Sequence, residues 1–325
     1  MSDHLRKNVL HSLPIYIPSE LCGQRIDVAL ATLFPDYSRS QLTSALKAGA
    51  ILINHQCYKP KDKIKGNELI EFQSSILPQQ HDLTLEPEAI DLNIIYEDEA
   101  LLVINKPAGL VVHPGAGQPN QTLVNGLLHH CPALQQLPRA GLIHRLDQHT
   151  TGLLLVGKTL TSYNKLTENM RLRLIKRHYL ALAQGQLTTP NTITTSYGRD
   201  PKNRLKMAVR REGKDAITHY RPLKIFPHFS LLHIELQTGR THQIRVHMAY
   251  LKHPIVGDPL YGKPPALPKT PDPSFLSAIK QFKRQALHAY TLSFEHPVTA
   301  ENITLEAPLP DDFRLLLDMV EQHDV

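Results

Sequence analysis

Between Leu142 and Gly152 the chain reads Leu-Ile-His-Arg-Leu-Asp-Gln-His-Thr-Thr-Gly, with one carboxylate, Asp147, between basic residues and a Thr-Thr-Gly turn. Ile143 and Leu146 before it, and Leu153 to Val156 after it, have the composition of buried strand. The polar cluster is therefore expected where the chain leaves a core strand and turns. Asp is rarely buried unless paired, so a carboxylate in this setting needs a reason. The simplest one from these residues alone is an Asp that accepts turn N–H groups or pairs with Arg145.

Charge along the chain is uneven. Residues 76–150 carry 3 Lys/Arg against 8 Asp/Glu, whereas residues 151–215 carry 13 against 4. A concentrated basic segment suggests a polyanionic partner, because Lys and Arg that neutralise phosphates release counterions. A solvated helix face followed by a basic loop would give the same counts. No run approaches the roughly 18 apolar residues of a membrane helix, so no membrane partner is expected. The N-terminus lacks an apolar signal region. Three scattered cysteines, Cys22, Cys57 and Cys131, without metal-ligand spacing, suit a reducing cytoplasmic setting.

The length suits two domains. Residues 1–23 are expected to be a loose lead-in, broken by Pro14 and Pro18. From Gln24 the apolar residues recur at helical spacing until Pro35. A second helix is predicted from Ser38, a plausible N-cap with Gln41 three residues on. Gly49 ends it, Ile51–Asn54 reads as a strand, and a basic stretch from Lys59 to Lys65 leads to a last strand at Glu68–Phe72. Residues 24–75 thus form a small α+β module with Arg39, Lys47, Lys59, Lys61 and Lys63 exposed. Residues 76–90, polar and containing Pro78 and Pro87, read as a linker. The larger domain is expected over 91–325.

That larger domain opens with a strand and turn over Leu101–Pro114. A strand follows at 153–157, then a helix across roughly 159–175 and a β-like stretch from Tyr179 to Ala183. Residues 198–214 are expected to be a basic loop, with strands near 216–226 and 229–237. A helix is predicted from Thr241, as N-cap, to about Leu251. Strands dominate and helices interrupt them irregularly, which fits α+β better than a doubly wound βαβ repeat.

Three segments of this domain place polar groups where packing alone would not ask for them. One is the Asp147 turn. Another is Lys176–Ala183, where Tyr179 lies on an otherwise aliphatic strand. The third runs from Leu236 to His247, where Arg240, His242, Arg245 and His247 crowd a helix start beside Gly239, followed by His253–Asp258. Helix N-termini attract anions. One Asp, one Tyr and one Arg suggest a site in which a carboxylate acts while an arginine holds it ionised, since nearby positive charge favours the charged, nucleophilic form. A tyrosine ring can stack on a base, or its hydroxyl can move a proton. His242 and His247 do not share a helical face as two metal ligands would. A hydrolase nucleophile elbow, Gly-x-Ser-x-Gly, is absent.

Two resemblances rest on these residues. The Arg-Ile-Asp-x-x-Leu opening, Ser-Arg-Ser-Gln-Leu and Gly-x-Ile-x-Ile-Asn resemble an S4-type RNA-binding domain. The segments His144–Gly152, Arg177–Ala181 and Thr238–His247, with Asn105–Pro114 and His253–Gly262, resemble the RluA-type pseudouridine synthases. The stretch Lys283–Ala289 and the Thr-Thr-Gly spelling point to the RluD branch of that family. The resemblance implies an α+β catalytic domain, a mixed and mostly antiparallel sheet with flanking helices, behind the S4-like module.

It also implies isomerisation of uridine to pseudouridine in 23S (large-subunit) ribosomal RNA, without cofactor or metal. Asp147 would be the nucleophile, attacking ribose C1′ or uracil C6. Tyr179 would stack on the base, and Arg245 would partner the carboxylate, a role that Arg240 could exchange with it. His144, Arg145, Thr150, Arg240 and His242 would meet substrate, Lys106 and Pro107 would shape the pocket edge, and Arg39 and Lys61 would meet RNA in the first module. A monomer acting on RNA within a pre-ribosomal particle is the expected setting. Transfer RNA, another ribosomal site, or a non-catalytic binding or assembly role are the alternatives.

Overall fold

A computed structural model describes residues 15–34, 39–73, 85–115, 117–203, 205–268 and 270–323. The chain divides into two compact units, Met1–Thr84 and Leu85–Val325.

The first unit comprises β1 (Ile15–Tyr16), α1 (Ile26–Leu33), α2 (Arg39–Lys47), β2 (Ile51–Ile53) and β3 (Leu69–Phe72). The strands form an antiparallel sheet in the order β1-β3-β2. Helical spacing turns Ile26, Leu30, Leu42 and Leu46 inward, onto Ile51, Ile53 and Ile70 of the sheet. Each such side chain, fully buried, contributes roughly 1.5–3 kcal/mol. Residues 1–23 are not all lead-in: Ile15–Tyr16 pair with β3, and Ile17 is buried in the core. The Ser38 cap expected for α2 lies outside the described residues. Asp27, buried in α1, accepts from Arg25 at 3.0 Å and from Arg39 at 2.7 Å. Burial opposes its ionisation, but those two arginines outweigh it and hold the carboxyl below its usual range.

The second unit begins earlier than expected. The polar composition of 76–90 suggested a linker, yet Leu85 packs on the core of this unit and the Glu86 carbonyl accepts from Asn125. Its elements are β4 (Ile94–Glu97), β5 (Leu101–Lys106), α3 (Leu123–His130), β6 (Thr151–Gly157), α4 (Leu160–Arg171), β7 (Lys176–Gln184), β8 (Asn191–Arg199), β9 (Met207–Val209), β10 (Lys214–Ile225), β11 (Phe229–Leu236), α5 (Gln243–Tyr250), α6 (Pro273–Gln281), β12 (Leu287–Glu295), β13 (Asn302–Glu306) and α7 (Asp311–His323).

The ten strands make one sheet, in the order β4-β5-β6-β12-β7-β11-β10-β8-β9, with β13 on β12. Every pairing is antiparallel except β6 with β12. The uninterrupted apolar runs of β5 and β6 follow from cover on both faces. Leu102, Ile104, Leu154 and Val156 enter one core, while Leu101, Val103, Leu153 and Leu155 enter the other, under Leu166 of α4.

Three local expectations fail. No strand leads into Asp147: Leu142 makes only an isolated bridge to Val156, and the strand lies wholly after the turn. The basic stretch 198–214 is not simply loop but carries β9, paired with the end of β8. Helix α5 is capped by His242 in the left-handed conformation (φ 59°), not by Thr241.

Candidate active site

Asp147 lines a cleft of about 490 Å³ in the second unit. The turn that holds it is closed by the Thr150 N–H donating to the Asp147 carbonyl at 3.0 Å. Three elements deliver the facing side chains: the turn itself, β7 with Tyr179, and the start of α5.

Arg245 is 5% exposed and joins two carboxylates. Its Nη1 donates to Asp147 Oδ2 at 3.0 Å, while Nε and Nη2 donate to Asp258 at 2.7 and 2.9 Å. Asp258 Oδ1 also accepts the backbone N–H groups of Leu260 and Tyr261. Burial disfavours charge on both Asp258 and Arg245. The hydrogen bonds between them outweigh it, lowering the Asp258 pKa and raising that of Arg245. The guanidinium also sits 5.2 Å from the centre of the Tyr261 ring.

His242 Nε2 is 3.9 Å from Asp147 Oδ1, beyond hydrogen-bonding distance. The Tyr261 hydroxyl accepts the Met207 N–H at 2.8 Å and lies 2.9 Å from His242 Nδ1. Donation of its own proton to Nδ1 would leave the ring proton on Nε2, the nitrogen 3.9 Å from Asp147 Oδ1. Burial lowers the His242 pKa against the pull of Asp147, which favours a neutral ring. Gln243, 2% exposed, pins the turn before α5. Its Oε1 accepts from Thr238 Oγ1 and Arg240 N, and its Nε2 donates to Ile217 O and Thr218 Oγ1.

Tyr179 is 4% exposed and lines the cleft. Burial raises its pKa above the ordinary phenol value. His144 lines the same cleft, its Nε2 accepting the Leu155 N–H at 3.2 Å. Burial pushes His144 down to about 3, so its ring is neutral. Arg139, Arg145, Arg171, Arg173, Arg177 and Arg240 supply positive charge around the opening. Among the described residues, no group of three or more His, Cys, Asp or Glu side chains is arranged to hold a metal ion.

Of the residues expected at the site, Asp147, Tyr179, Arg245, His144, Arg145, Thr150, Arg240 and His242 share this cleft. Between the two candidate arginines, it is Arg245 that bonds Asp147; Arg240 Nε donates to the Asp215 carbonyl at 3.1 Å. Lys106 and Pro107 do not line the cleft. Lys106 is fully buried, and its Nζ donates to the carbonyls of Pro107, Leu110 and Gln148 at 2.7, 3.0 and 2.8 Å. The resemblance implied a place at the pocket edge; three carbonyls converge on the Lys106 ammonium instead, one of them from the Asp147 turn. His247 is likewise buried, between Thr195 and Thr218. Arg39 and Lys61 are exposed in the first unit, Arg39 already paired with Asp27. Asp258 and Tyr261 were missed as site residues, although both fall in His253–Gly262, whose Val-Gly-Asp turn was the available signal.

Residues 100–250 match the family model for RNA pseudouridylate synthase, and residues 24–70 that for the S4 domain. A protein of Xanthomonas campestris named ribosomal large subunit pseudouridine synthase D is 47% identical over 306 residues, covering 94% of this chain and 92% of that protein. The Escherichia coli protein of the same name is 45% identical, covering 93% of each. Among solved structures, human RNA pseudouridylate synthase domain containing 4 is similar with a TM-score of 0.54 and 25% identity, over 70% of this chain and 93% of that one. Human RNA pseudouridylate synthase domain containing 1 is similar with a TM-score of 0.53 and the same identity, over 69% of this chain and 85% of that one.

Proposed function

The chain belongs to the RNA pseudouridylate synthase family, and on that premise we propose that it converts particular uridines of large-subunit ribosomal RNA to pseudouridine with Asp147 as nucleophile. The observation that carries the reading is the cleft carboxylate of Asp147 held on Arg245, itself locked by Asp258. One Asp147 oxygen is held by that guanidinium, while the other lies 3.9 Å from His242 Nε2. An oxygen so placed can attack.

On this reading the carboxylate adds to ribose C1′ or uracil C6. The N1–C1′ bond breaks, the uracil turns within the cleft, a C5–C1′ bond forms, and the bond between Asp147 and the substrate breaks again, which frees the carboxylate. The C5 proton is lost and N1 gains one, so atoms balance without any co-reactant. The reacting atoms are inaccessible in a stack, so the nucleotide must be flipped out or already unpaired. Tyr179 would then lie against the base, and the arginines around the opening would hold the flanking phosphates. Arg39 and Lys61 of the S4 domain would add backbone contacts.

A monomer suffices for this chemistry, because Asp147, Tyr179 and Arg245 all come from one unit of one chain. Among the described residues no helix is long and apolar enough to cross a membrane. With the ribosomal names of the relatives, this supports a cytoplasmic enzyme that meets its RNA in a large-subunit precursor.

The test is pseudouridine mapping of total RNA, by CMC-primer extension or mass spectrometry, in cells lacking the protein and complemented with wild type or Asp147→Ala. Large-subunit sites should vanish and return only with wild type. A map unaffected by loss of the protein would leave a binding or assembly role, and modification restored by Asp147→Ala would remove Asp147 from the chemistry.

A further inference from the structure

The stretch Lys283–Ala289 takes no direct part in the cleft apart from Leu287, yet three of its side chains reach the Asp147 turn. Gln285, 1% exposed, donates from Nε2 to Thr150 Oγ1 at 3.0 Å. His288, fully buried, sits with Nε2 3.1 Å from the Ala307 carbonyl, so Nε2 carries the proton and Nδ1 accepts from the Thr151 hydroxyl at 2.8 Å. Arg284, 7% exposed, donates from Nη1 to the carbonyls of Gln285 at 3.2 Å and His149 at 3.4 Å. Its Nε and Nη2 grip both oxygens of Asp312, in the first turn of α7, at 2.6 and 2.7 Å.

With these contacts each residue of the turn is tied to another segment. Asp147 is held by Arg245, Gln148 by Lys106 and Gly109, His149 by Arg284, Thr150 by Gln285 and Thr151 by His288. The backbone makes the same connection. Here β12 runs parallel to β6, with His288 beside Thr151 and Ala289 beside Gly152. Gly152 has φ +109°, and a Cβ on it would stand 2.2 Å from the Ala289 carbonyl oxygen, so only glycine permits this approach.

We propose that Gln285 and the Arg284–Asp312 pair are positioning residues for Asp147, coupling the docking of the C-terminal helix α7 to the geometry of the nucleophile. The inference rests on the reading of Asp147 given above. The physical reason is the steepness of attack geometry, in which a misplacement of about 1 Å can cost on the order of 10²-fold in rate. A turn of five residues does not hold a carboxylate to such tolerance by itself. Asp312 is half exposed and far along the chain, so it acts only through Arg284. Gln285 acts through Thr150, whose N–H closes the turn on the Asp147 carbonyl.

The experiment uses the full-length protein and large-subunit RNA from cells lacking it, with enzyme in excess, reading the single-turnover rate at saturation and RNA affinity by filter binding. Gln285→Leu, which keeps the volume and removes the donor, and Asp312→Ala should each lower the rate by about tenfold or more and leave RNA affinity unchanged. Asp312→Glu, which can still pair with Arg284, should recover most of the rate. Gln285→Leu should add little further loss in a Thr150→Val background, because both act through one hydrogen bond. Wild-type rates in both variants, with only the melting temperature lowered, would reduce these residues to structural support and overturn the proposal. Equal losses of rate and affinity would overturn it too. Asp147→Ala in the same assay separates the two ideas: activity surviving there defeats the nucleophile reading itself. Its loss beside intact Gln285 and Asp312 variants defeats only the positioning role.

Discussion

Asp258 lies beneath Arg245 and takes two of its nitrogens, Nε and Nη2, leaving Nη1 to reach Asp147. The guanidinium fork is rigid and planar, so fixing two of its nitrogens aims the third. Asp258 is thereby the residue that sets where the Arg245 charge sits beside Asp147, although it does not line the cleft.

Replacing Asp258 should therefore be felt at Asp147. In Asp258→Asn the single-turnover rate is expected to fall by on the order of ten- to a hundredfold, with RNA affinity little changed, because the aim of Arg245 is lost. Asp258→Ala leaves a buried cation short of a partner and should lower unfolding stability by roughly 3–5 kcal/mol. Stopped-reaction kinetics and urea denaturation measure the two effects; a wild-type rate in Asp258→Asn would count against the aiming role.

Tyr179 offers a ring and a hydroxyl. Burial raises its phenol pKa, with Asp147 adding to the effect and Arg177 opposing it. The hydroxyl accordingly stays protonated at neutral pH and is unsuited to act as a base. Tyr179→Phe should keep most of the activity, whereas Tyr179→Ala should lose about 1–3 kcal/mol of base stacking. A dead Tyr179→Phe with normal RNA binding would show instead that the hydroxyl is needed.

The arginines around the opening should act through phosphate. For Arg171→Ala and Arg173→Ala the affinity should drop, and the slope of log affinity against log salt should shrink by about 0.7 for each contact to single-stranded backbone. The pattern of modified sites should not change. Binding titrations over a range of potassium chloride give the slope; an unaltered slope would place these two side chains outside the RNA path.

Acid should destabilise the protein in the range where histidines titrate. His144 and His247 are 7% and 0% exposed, and burial depresses them to about 3 and about 4. Unfolded, they would titrate near the usual value of about 6.5. The folded-state values are depressed, so between those limits the unfolded chain binds more protons and stability falls as pH falls. Each histidine contributes a slope of about 1.4 kcal/mol per pH unit in the fully titrating range. The unfolding midpoint should drop between pH 7 and pH 5; an equal midpoint at both would contradict the neutral burial of these rings.

Much of the site was legible in the chain. Asp147, Tyr179 and Arg245 stood out because each is polar within an apolar or Gly-flanked context, and the tertiary structure gathers all three. The double-faced burial of β5 and β6 was readable as unbroken apolar runs. Less legible were β8 and β9, whose alternation is diluted by Thr, Ser and basic residues, and the capping of α5, where a left-handed His242 replaces the expected Thr241.

What the sequence by itself determined is local: periodicity, turn chemistry and the residue types from which a site can be made. Which of them meet is a matter of the sheet. The order of the strands carries Arg245 to Asp147 across 98 residues, and the parallel pairing of β12 with β6 brings Gln285 to Thr150 across 135. Lys106 shows the same limit from the other side. The resemblance implied a place at the pocket edge, yet three carbonyls from two turns enclose its ammonium group. In each of these cases the hydrogen-bond partners come from separate segments, and no single stretch of residues contains them all.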